Sequence, residues 1–537
     1  MVVALVALAA SLAGVLNDFA YDDILVVLHD DRVQSASRWA EFLTSPYWAA
    51  PHVQDLYRPI ASLLLAAEYA LGGGGPLIFR VVSYALYAAS AVAVFALASR
   101  LLSRRAALAV AVLFAAHPVH VEAVAQAVNQ AELVVGLIAV VMVCRYVDRR
   151  RARDLRSRDW IILAALYAVA MLTKENGFVL PGLLVVAELV LIADVPLRAR
   201  IRTLWRGYLS LAAIAAVILM IRATVLSGDV VGAFTAEALV GLGLGGRMLT
   251  MLQVVPMWVR LFVWPAHLQI DYSPNEIVAS SGFGPHEALG LGLVLAAIAV
   301  VYVVRRRAPV VSFGLLWCAI ALFPVSNIVP TSIVLAERTL FLPSIGFLLA
   351  AGALGASLVT FAKRPASVIR VTLVHMCVVL TILGIARSAE RQRDWRNAAH
   401  VWVVASHDAP RSLRVQRARE SAIADLAKEF EPVIAAADEP WRLRFQLAVL
   451  FRTMEEDSAA VVQLRRSLEE HAAQPDAQIE LGEILLEEGH YTEAKAVARS
   501  GIVGGDTAQA FRQIEQAADS AEAVSAPPGT VSLHTRT

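Results

Sequence analysis

Long apolar runs recur from the start of the chain to about residue 390, each closed by a short polar segment. Runs of this kind are read as membrane-spanning helices. The separators are of two kinds. One is arginine-rich: Arg100 with Arg104 and Arg105, Arg149–Arg158, Arg198–Arg206, Arg305–Arg307 and Lys363–Arg370. The other mixes polar and acidic residues, at 17–57, 117–132, 173–177, 226–286 and 326–339. The two kinds alternate, so the positive-inside rule sets the arginine segments in the cytoplasm and the mixed ones outside. About eleven spans follow, near 1–16, 76–99, 106–125, 130–147, 160–173, 178–194, 207–226, 288–304, 310–328, 341–362 and 368–388. The amino terminus is then inside and the carboxyl terminus outside. Met1–Leu16 is short for a span, but it lacks the basic flank of a signal peptide and is read as a retained first span. Residues 249–265 lie between two external segments and hold Pro256, Arg260 and Pro265, which predicts an interfacial or re-entrant piece. Residues 33–72 read as amphipathic helices on the outer surface, with Trp39, Tyr47 and Trp48 as interface aromatics.

Past residue 390 the composition turns soluble. Leu447, Ala448 and Ala460 recur thirty-four residues later as Leu481, Gly482 and Ala494. That is the tetratricopeptide period, with small residues where paired helices touch. Two repeats are supported and a third at 407–440 is degenerate. Such arrays usually need three or more units, so this part is expected to lean on the membrane part or on a partner. The predicted fold class is all-α: a polytopic bundle over 1–390, with a first external loop at 17–75. A small extracytoplasmic helical domain over 391–518 and a disordered tail over 519–537 complete it.

Composition narrows the functions. The chain is 58% hydrophobic and 17% charged, with a net charge of +1. That balance gives no electrostatic case for nucleic acid. Its three cysteines, Cys144, Cys318 and Cys377, all fall in apolar runs and are read as packing residues, not zinc ligands or disulfides. The few cysteines fit a bacterial inner membrane.

The candidate chemistry collects on one side. Asp22 and Asp23 follow the first apolar run directly, at a membrane surface where a charge without a role is costly. Arg58 follows Tyr57, the second polar segment carries His117, His120 and Glu122, and the third carries Lys174 and Glu175. A late one carries Glu337 and Arg338. Carboxylates with scattered cations suit transfer of a sugar from a polyprenyl phosphate. One carboxylate takes the proton of the attacking hydroxyl, and cations hold the departing phosphate. A single carboxylate base fits direct displacement with inversion. No cofactor is required. His117, His120 and Glu122 have a spacing compatible with a metal, but Pro118 between the histidines marks a helix start and favours structural or substrate contact. Lys174 with Glu175, and Glu337 with Arg338, are also open to reading as internal salt bridges.

Taken in order, Tyr21-Asp-Asp, Tyr57-Arg-Pro, His117-Pro-Val-His-Val-Glu-Ala-Val124, Thr173-Lys-Glu175, Pro324-Val-Ser-Asn327 and Ala336-Glu-Arg-Thr-Leu-Phe-Leu-Pro-Ser344 form a pattern. It resembles the transmembrane-and-tetratricopeptide-repeat O-mannosyltransferases, which are GT-C glycosyltransferases. The resemblance covers about 20–400. It implies an extracytoplasmic site, a polyprenyl-phosphate donor, commonly of mannose, and a protein hydroxyl as acceptor presented with help from the repeats. The acidic pair is the superfamily's catalytic signature, so Asp22 or Asp23 is the expected base. Arg338, Lys174 and Arg58 are the expected phosphate contacts; Tyr57, His117, His120, Glu122, Glu175 and Glu337 are further site candidates. The chain departs from the pattern where Gln130 replaces the usual arginine and Arg80 a common histidine. Two rivals stand beside this reading: transfer to a lipid or glycan, and a degenerate membrane scaffold whose repeats dock partners.

Overall fold

The structure, a computed structural model, describes residues 1–52, 55–192, 195–228, 235–272, 276–361, 366–501 and 507–525. Among these every regular element is a helix. Six are long and apolar enough to cross a membrane: Pro76–Leu101, Gln130–Ala152, Leu197–Val225, Pro285–Val304, Glu337–Thr360 and Ser367–Asp394. A seventh crossing results if Arg104–Ala115 and Pro118–Ala125, bent by 49° at their break, act as one. The chain is therefore a multi-pass integral membrane protein.

Six or seven crossings by length and composition fall short of the expected eleven. The apolar runs near 1–16, 160–173, 178–194 and 310–328 fold as Val2–Ser11, Ser157–Thr173, Leu180–Leu191 and Pro309–Leu322. These helices are 10, 17, 12 and 14 residues long, below the roughly 20 residues that a bilayer core needs. All four bury apolar residues in one core, among them Ala7, Leu163, Leu183 and Phe313, and Pro309–Leu322 meets the crossing helix Phe341–Phe361 at a pair of glycines. Gly314 and Gly346 abut so closely that a Cβ on either would meet the other's backbone, the small-residue contact that lets helices approach in membranes. Most of residues 249–265 is continuous helix. That stretch belongs to one helix, Leu244–Val263, with Pro256 inside it, and its apolar face packs Met251, Val254, Trp258, Leu261 and Phe262 into a core with Leu335 and Leu340.

In the 33–72 region one face is turned inward and the other stays exposed, Leu43 and Leu71 among the exposed residues. A 3-10 helix Ala36–Leu43 and an α-helix Pro59–Gly72 close over Phe19, Val26, Phe42 and Phe79. Tyr47 is buried in that cluster, and Trp39 and Trp48 pack on it.

The helices that carry the candidate site run between the same two ends of the bundle. Pro76–Leu101 begins at the buried Arg80 and ends where Arg100 pairs Asp148 at 2.8 Å. Gln130–Ala152 runs alongside in the same sense, from Gln130 beside Phe79 and Ser83 to Asp148. Ser157–Thr173 returns, from Asp159 among arginines to Lys174. Leu197–Val225 does the same, from Arg200 near Glu188 to Arg222 at Glu175. The mixed-charge segments thus gather at one end of the bundle and the arginine segments at the other. Part of the last arginine segment, residues 362–365, lies outside the described residues.

The chain divides into two compact units, Met1–Gln416 and Arg417–Thr537. The division falls later than the change of composition near 390 because Trp395, Val401, Ala405, Ala409 and Val415 bury themselves with Ala20, Val121, Ala125 and Ile270. In the second unit, Pro440–Thr453 packs with Asp457–Glu470, and Pro475–Glu487 with Tyr491–Gly501. Leu447, Ala448, Ala460, Leu481 and Ala494 are all buried, as the period requires. Helix Ala508–Ser525 continues past 519, where disorder was expected to start, and its Ile514 closes on Gly482. The rest of that tail, 526–537, lies outside the described residues.

Candidate functional site

The segment after the first helix is fastened before the acidic pair. Asn17 Nδ2 donates to the Gln392 carbonyl at 2.6 Å, and the Asp18 amide donates to the Arg396 carbonyl at 2.8 Å. Tyr21 then takes a φ of +57°, a left-handed conformation that is rare and costly for an aromatic residue. Past that turn the two carboxylates have different surroundings.

Asp23 is fully buried. It accepts the amides of Ala127 and Val128 at 3.1 and 3.0 Å, with Arg80 at 3.9 Å. Burial raises its pKa to about 6, against Arg80 and the two amides. Arg80 also donates to the carbonyls of Asn17 and Ala125. The arginine standing in a histidine's place is therefore a strut that ties three segments together under Asp23. Asp22 is partly buried, and among the described residues its carboxylate makes no hydrogen bond or ion pair. Burial raises its pKa above the ordinary aspartate range, and the field of Arg338, Arg414 and Arg58 opposes that rise. A half-buried carboxylate facing three guanidiniums without touching one is available to take a proton.

The cations are braced from behind. Glu122 accepts both the amide of Arg338, at 2.8 Å, and its Nη1, and Nε and Nη2 of Arg338 have no partner among the described residues. Arg58 forks onto Glu175 at 2.9 and 2.7 Å, and Arg222 joins at 3.1 Å. Burial would raise Glu175, but Arg58 and Arg222 hold it down at about 2. Lys174 sits 2.9 Å from Glu132; burial lowers its pKa, with Glu132 opposing and Arg58 and Arg338 adding. The two neighbour pairings open in the sequence are not formed. Lys174 and Glu175 bind different partners, and Glu337 turns from Arg338 to Arg391 at 3.4 Å and the Gln269 amide at 2.6 Å.

Other expected site residues hold the framework. Tyr57 donates to the Leu43 carbonyl at 2.9 Å. His117 Nε2 is 3.1 Å from the Phe262 carbonyl. His120 joins the Tyr87 hydroxyl at 3.1 Å and the Ser344 hydroxyl at 2.8 Å, linking two of the sequence motifs. Among the described residues no group of three or more His, Cys, Asp or Glu is placed to hold a metal ion. Gln130 donates to Glu68, the Phe79 carbonyl and Ser83, so it packs the loop floor.

Six further residues join this charge cluster without being site candidates in the sequence: Arg80 as a strut, Glu132, Arg222, Arg391, Asp271 and Arg414. A signal existed for two of them. Arg80 interrupts an apolar run, and Arg222 stands at the outer end of one, where the positive-inside rule expects few arginines. Asp271 and Arg414 lie in segments without a motif.

The amino-acid sequence of this bundle is similar to those of membrane mannosyltransferases. Residues 57–222 match the family described as dolichyl-phosphate-mannose-protein mannosyltransferase. Among curated proteins, protein O-mannosyl-transferase TMTC4 of Mus musculus is 25% identical over 457 residues, covering 74% of this chain and 60% of the relative. TMTC3 of the same organism is 24% identical over 61% of this chain and 39% of its own length. Tmtc1 of Drosophila melanogaster is 34% identical over 30% of this chain and 19% of its own. The chain thus spans less than two thirds of each of these relatives. No solved structure matches it.

Proposed function

We propose that this chain is an integral-membrane glycosyltransferase that moves mannose from a polyprenyl-phosphate donor to a hydroxyl of an extracytoplasmic protein. The observation that carries the reading is the contrast within the acidic pair. Asp23 is saturated by two amides beside Arg80, while Asp22 stands unbonded before Arg338, Arg414 and Arg58. Asp22 is the base in this reading. The acceptor oxygen attacks the anomeric carbon and its proton passes to Asp22. The bond from that carbon to the phosphate oxygen breaks, and polyprenyl phosphate leaves with the electron pair. The free Nε and Nη2 of Arg338, with Arg58 and Lys174, stabilise the charge that gathers on the phosphate. Glu122, Glu175 and Glu132 keep those cations in place before substrate arrives, so little reorganisation is needed during the step. Attack from the side opposite the phosphate inverts the anomeric centre.

The similarity over 57–222 supports the donor class, and the relatives' printed activity supports a protein acceptor. The arginine-rich end faces the cytoplasm in this reading, and the site opens on the outer face of a bacterial inner membrane. The helical pairs of the second unit are tetratricopeptide-like and help present the acceptor.

The test is transfer by the full-length protein in lipid, from radiolabelled polyprenyl-phosphate mannose, with a membrane extract as acceptor. Label in a protease-sensitive band is expected. Label confined to a lipid fraction would overturn the protein acceptor, and no transfer from any of several sugar donors would overturn the enzymatic reading.

A further inference from the structure

The Asp22 carboxylate has no bond of its own, so its direction is set by its backbone and by what holds the residue before it. Tyr21 carries the left-handed turn. A non-glycine residue stays in that region only when its surroundings over-determine it. Those surroundings come from a part of the chain nearly four hundred residues away. The Tyr21 ring stacks on Trp402 with centroids 4.9 Å apart at 30°, and meets Trp395 edge-on at 6.1 Å. Arg414 Nη2 donates to the Tyr21 hydroxyl at 2.7 Å. Arg414 Nε stands 3.4 Å from Asp271 Oδ2, which fixes the guanidinium from its other side. Behind these contacts, Ala20 is buried with Val401, Ala405, Ala409 and Val415.

We infer that Arg414 is a positioning residue for the base: bridging Asp271 and the Tyr21 hydroxyl, it holds the turn that aims Asp22. The inference rests on Asp22 being the base. It assigns a role in the reaction to residues 395–415, beyond the 57–222 stretch that matches a family. It also accounts for a tyrosine, in place of glycine, at a positive φ. The strained backbone is coupled to a ring and a hydroxyl that distant residues can grip. Lysine at 414 cannot do the same, because a single ammonium lacks the planar fork that reaches two oxygens at once.

The experiment compares full-length wild type, Arg414→Ala, Arg414→Lys, Tyr21→Phe, the Tyr21→Phe/Arg414→Ala double variant and Asp22→Asn in lipid, reading kcat, donor KM and the pH profile. Arg414→Ala is expected to lower kcat about ten-fold or more with donor KM unchanged. Tyr21→Phe keeps the ring stack and loses part of that rate. The double variant is expected to be no worse than Arg414→Ala alone, since both remove one coupled contact. Asp22 is faced by Arg338, Arg414, Arg58 and Glu122, and lies within the field of Tyr21, Asp23 and Asp271. Losing the Arg414 charge shifts the acid limb of kcat/KM to higher pH, and lysine restores the limb while kcat stays low. Wild-type kcat and an unmoved acid limb in Arg414→Ala, with Asp22→Asn inactive, would overturn this inference and leave the function standing. An active Asp22→Asn would overturn both. Should Arg414→Ala not elute as a folded protein, Arg414→Lys and Tyr21→Phe decide the matter: wild-type kcat in both contradicts it.

Discussion

The two ends of the bundle both hold engaged carboxylates, but among the described residues only one end also holds an unengaged one. At the arginine end Asp159 is buried and saturated. Arg145, Arg149 and Arg153 surround it at 3.3, 3.6 and 2.7 Å, and it accepts the Arg156 amide at 3.0 Å. Glu188 nearby is likewise taken by Arg150 and Tyr146. At the other end Glu122, Glu132, Glu175 and Asp23 are all engaged, yet Asp22 among three arginines is not. Buried ion pairs therefore do not mark a site, because both ends have them and their net value to stability is small. The mark is a carboxylate kept within the field of cations but out of their reach.

Substitutions at the two ends sharpen that contrast. The largest expected effect is on catalysis. Asp22→Asn should lower transfer by about 10³-fold or more, with thermal stability in detergent unchanged because no contact is lost. Arg338→Ala should act on both properties. It strips Glu122 of its partner, at a cost of about 3–5 kcal/mol, and removes two free donors from the site. Arg338→Lys, tested by the same melting and transfer assays, should recover more stability than activity. Asp159→Asn should cost about 1 kcal/mol, since its arginine partners are partly exposed, and leave transfer untouched. A large loss of transfer in Asp159→Asn with an intact melting curve would break the comparison.

The adjacent aspartates also differ in how pH acts. Asp23 has a folded pKa raised from 3.8 to about 6 by burial. Between those values the folded state binds more protons than the unfolded chain, so this group's contribution is complete below about pH 4 and is lost as pH rises through 6. Melting temperature against pH, wild type minus Asp23→Asn, should show a difference that changes across pH 4–6 and is flat above it. Asp22 must be ionised to accept a proton, so kcat/KM should fall as pH drops through a value above the ordinary aspartate range. That limb should vanish in Asp22→Asn along with the activity.

Much of this was legible in the residues. Apolar runs and alternating separators placed the candidate groups at one end, and the ordered motifs singled out Asp22, Arg338 and Arg58 as candidates. Helix lengths were less legible. Leu180–Leu191 and Pro309–Leu322 are as apolar as true crossings, and only the observed helix ends show that they stop short. Pairing was not legible at all. Sequence neighbours Lys174 and Glu175, or Glu337 and Arg338, looked like pairs, but adjacent residues at these turns face different elements, and Glu122 finds Arg338 from 216 positions away. Long-range packing was hidden for the same reason: residues 395–415 look soluble, yet pack on Ala20 and Val121. The strut Arg80 was visible only as a departure from a family pattern, and its meaning depended on Asp23 being beside it.

The most direct test sets the two aspartates against each other. Purified full-length protein in lipid, supplied with labelled polyprenyl-phosphate mannose and a membrane extract, is compared with Asp22→Asn and Asp23→Asn, each checked for folding by its melting curve. The account predicts that Asp22→Asn melts like wild type and transfers nothing measurable, while Asp23→Asn melts earlier and keeps activity in its folded fraction. Transfer by Asp22→Asn at the wild-type rate would contradict it.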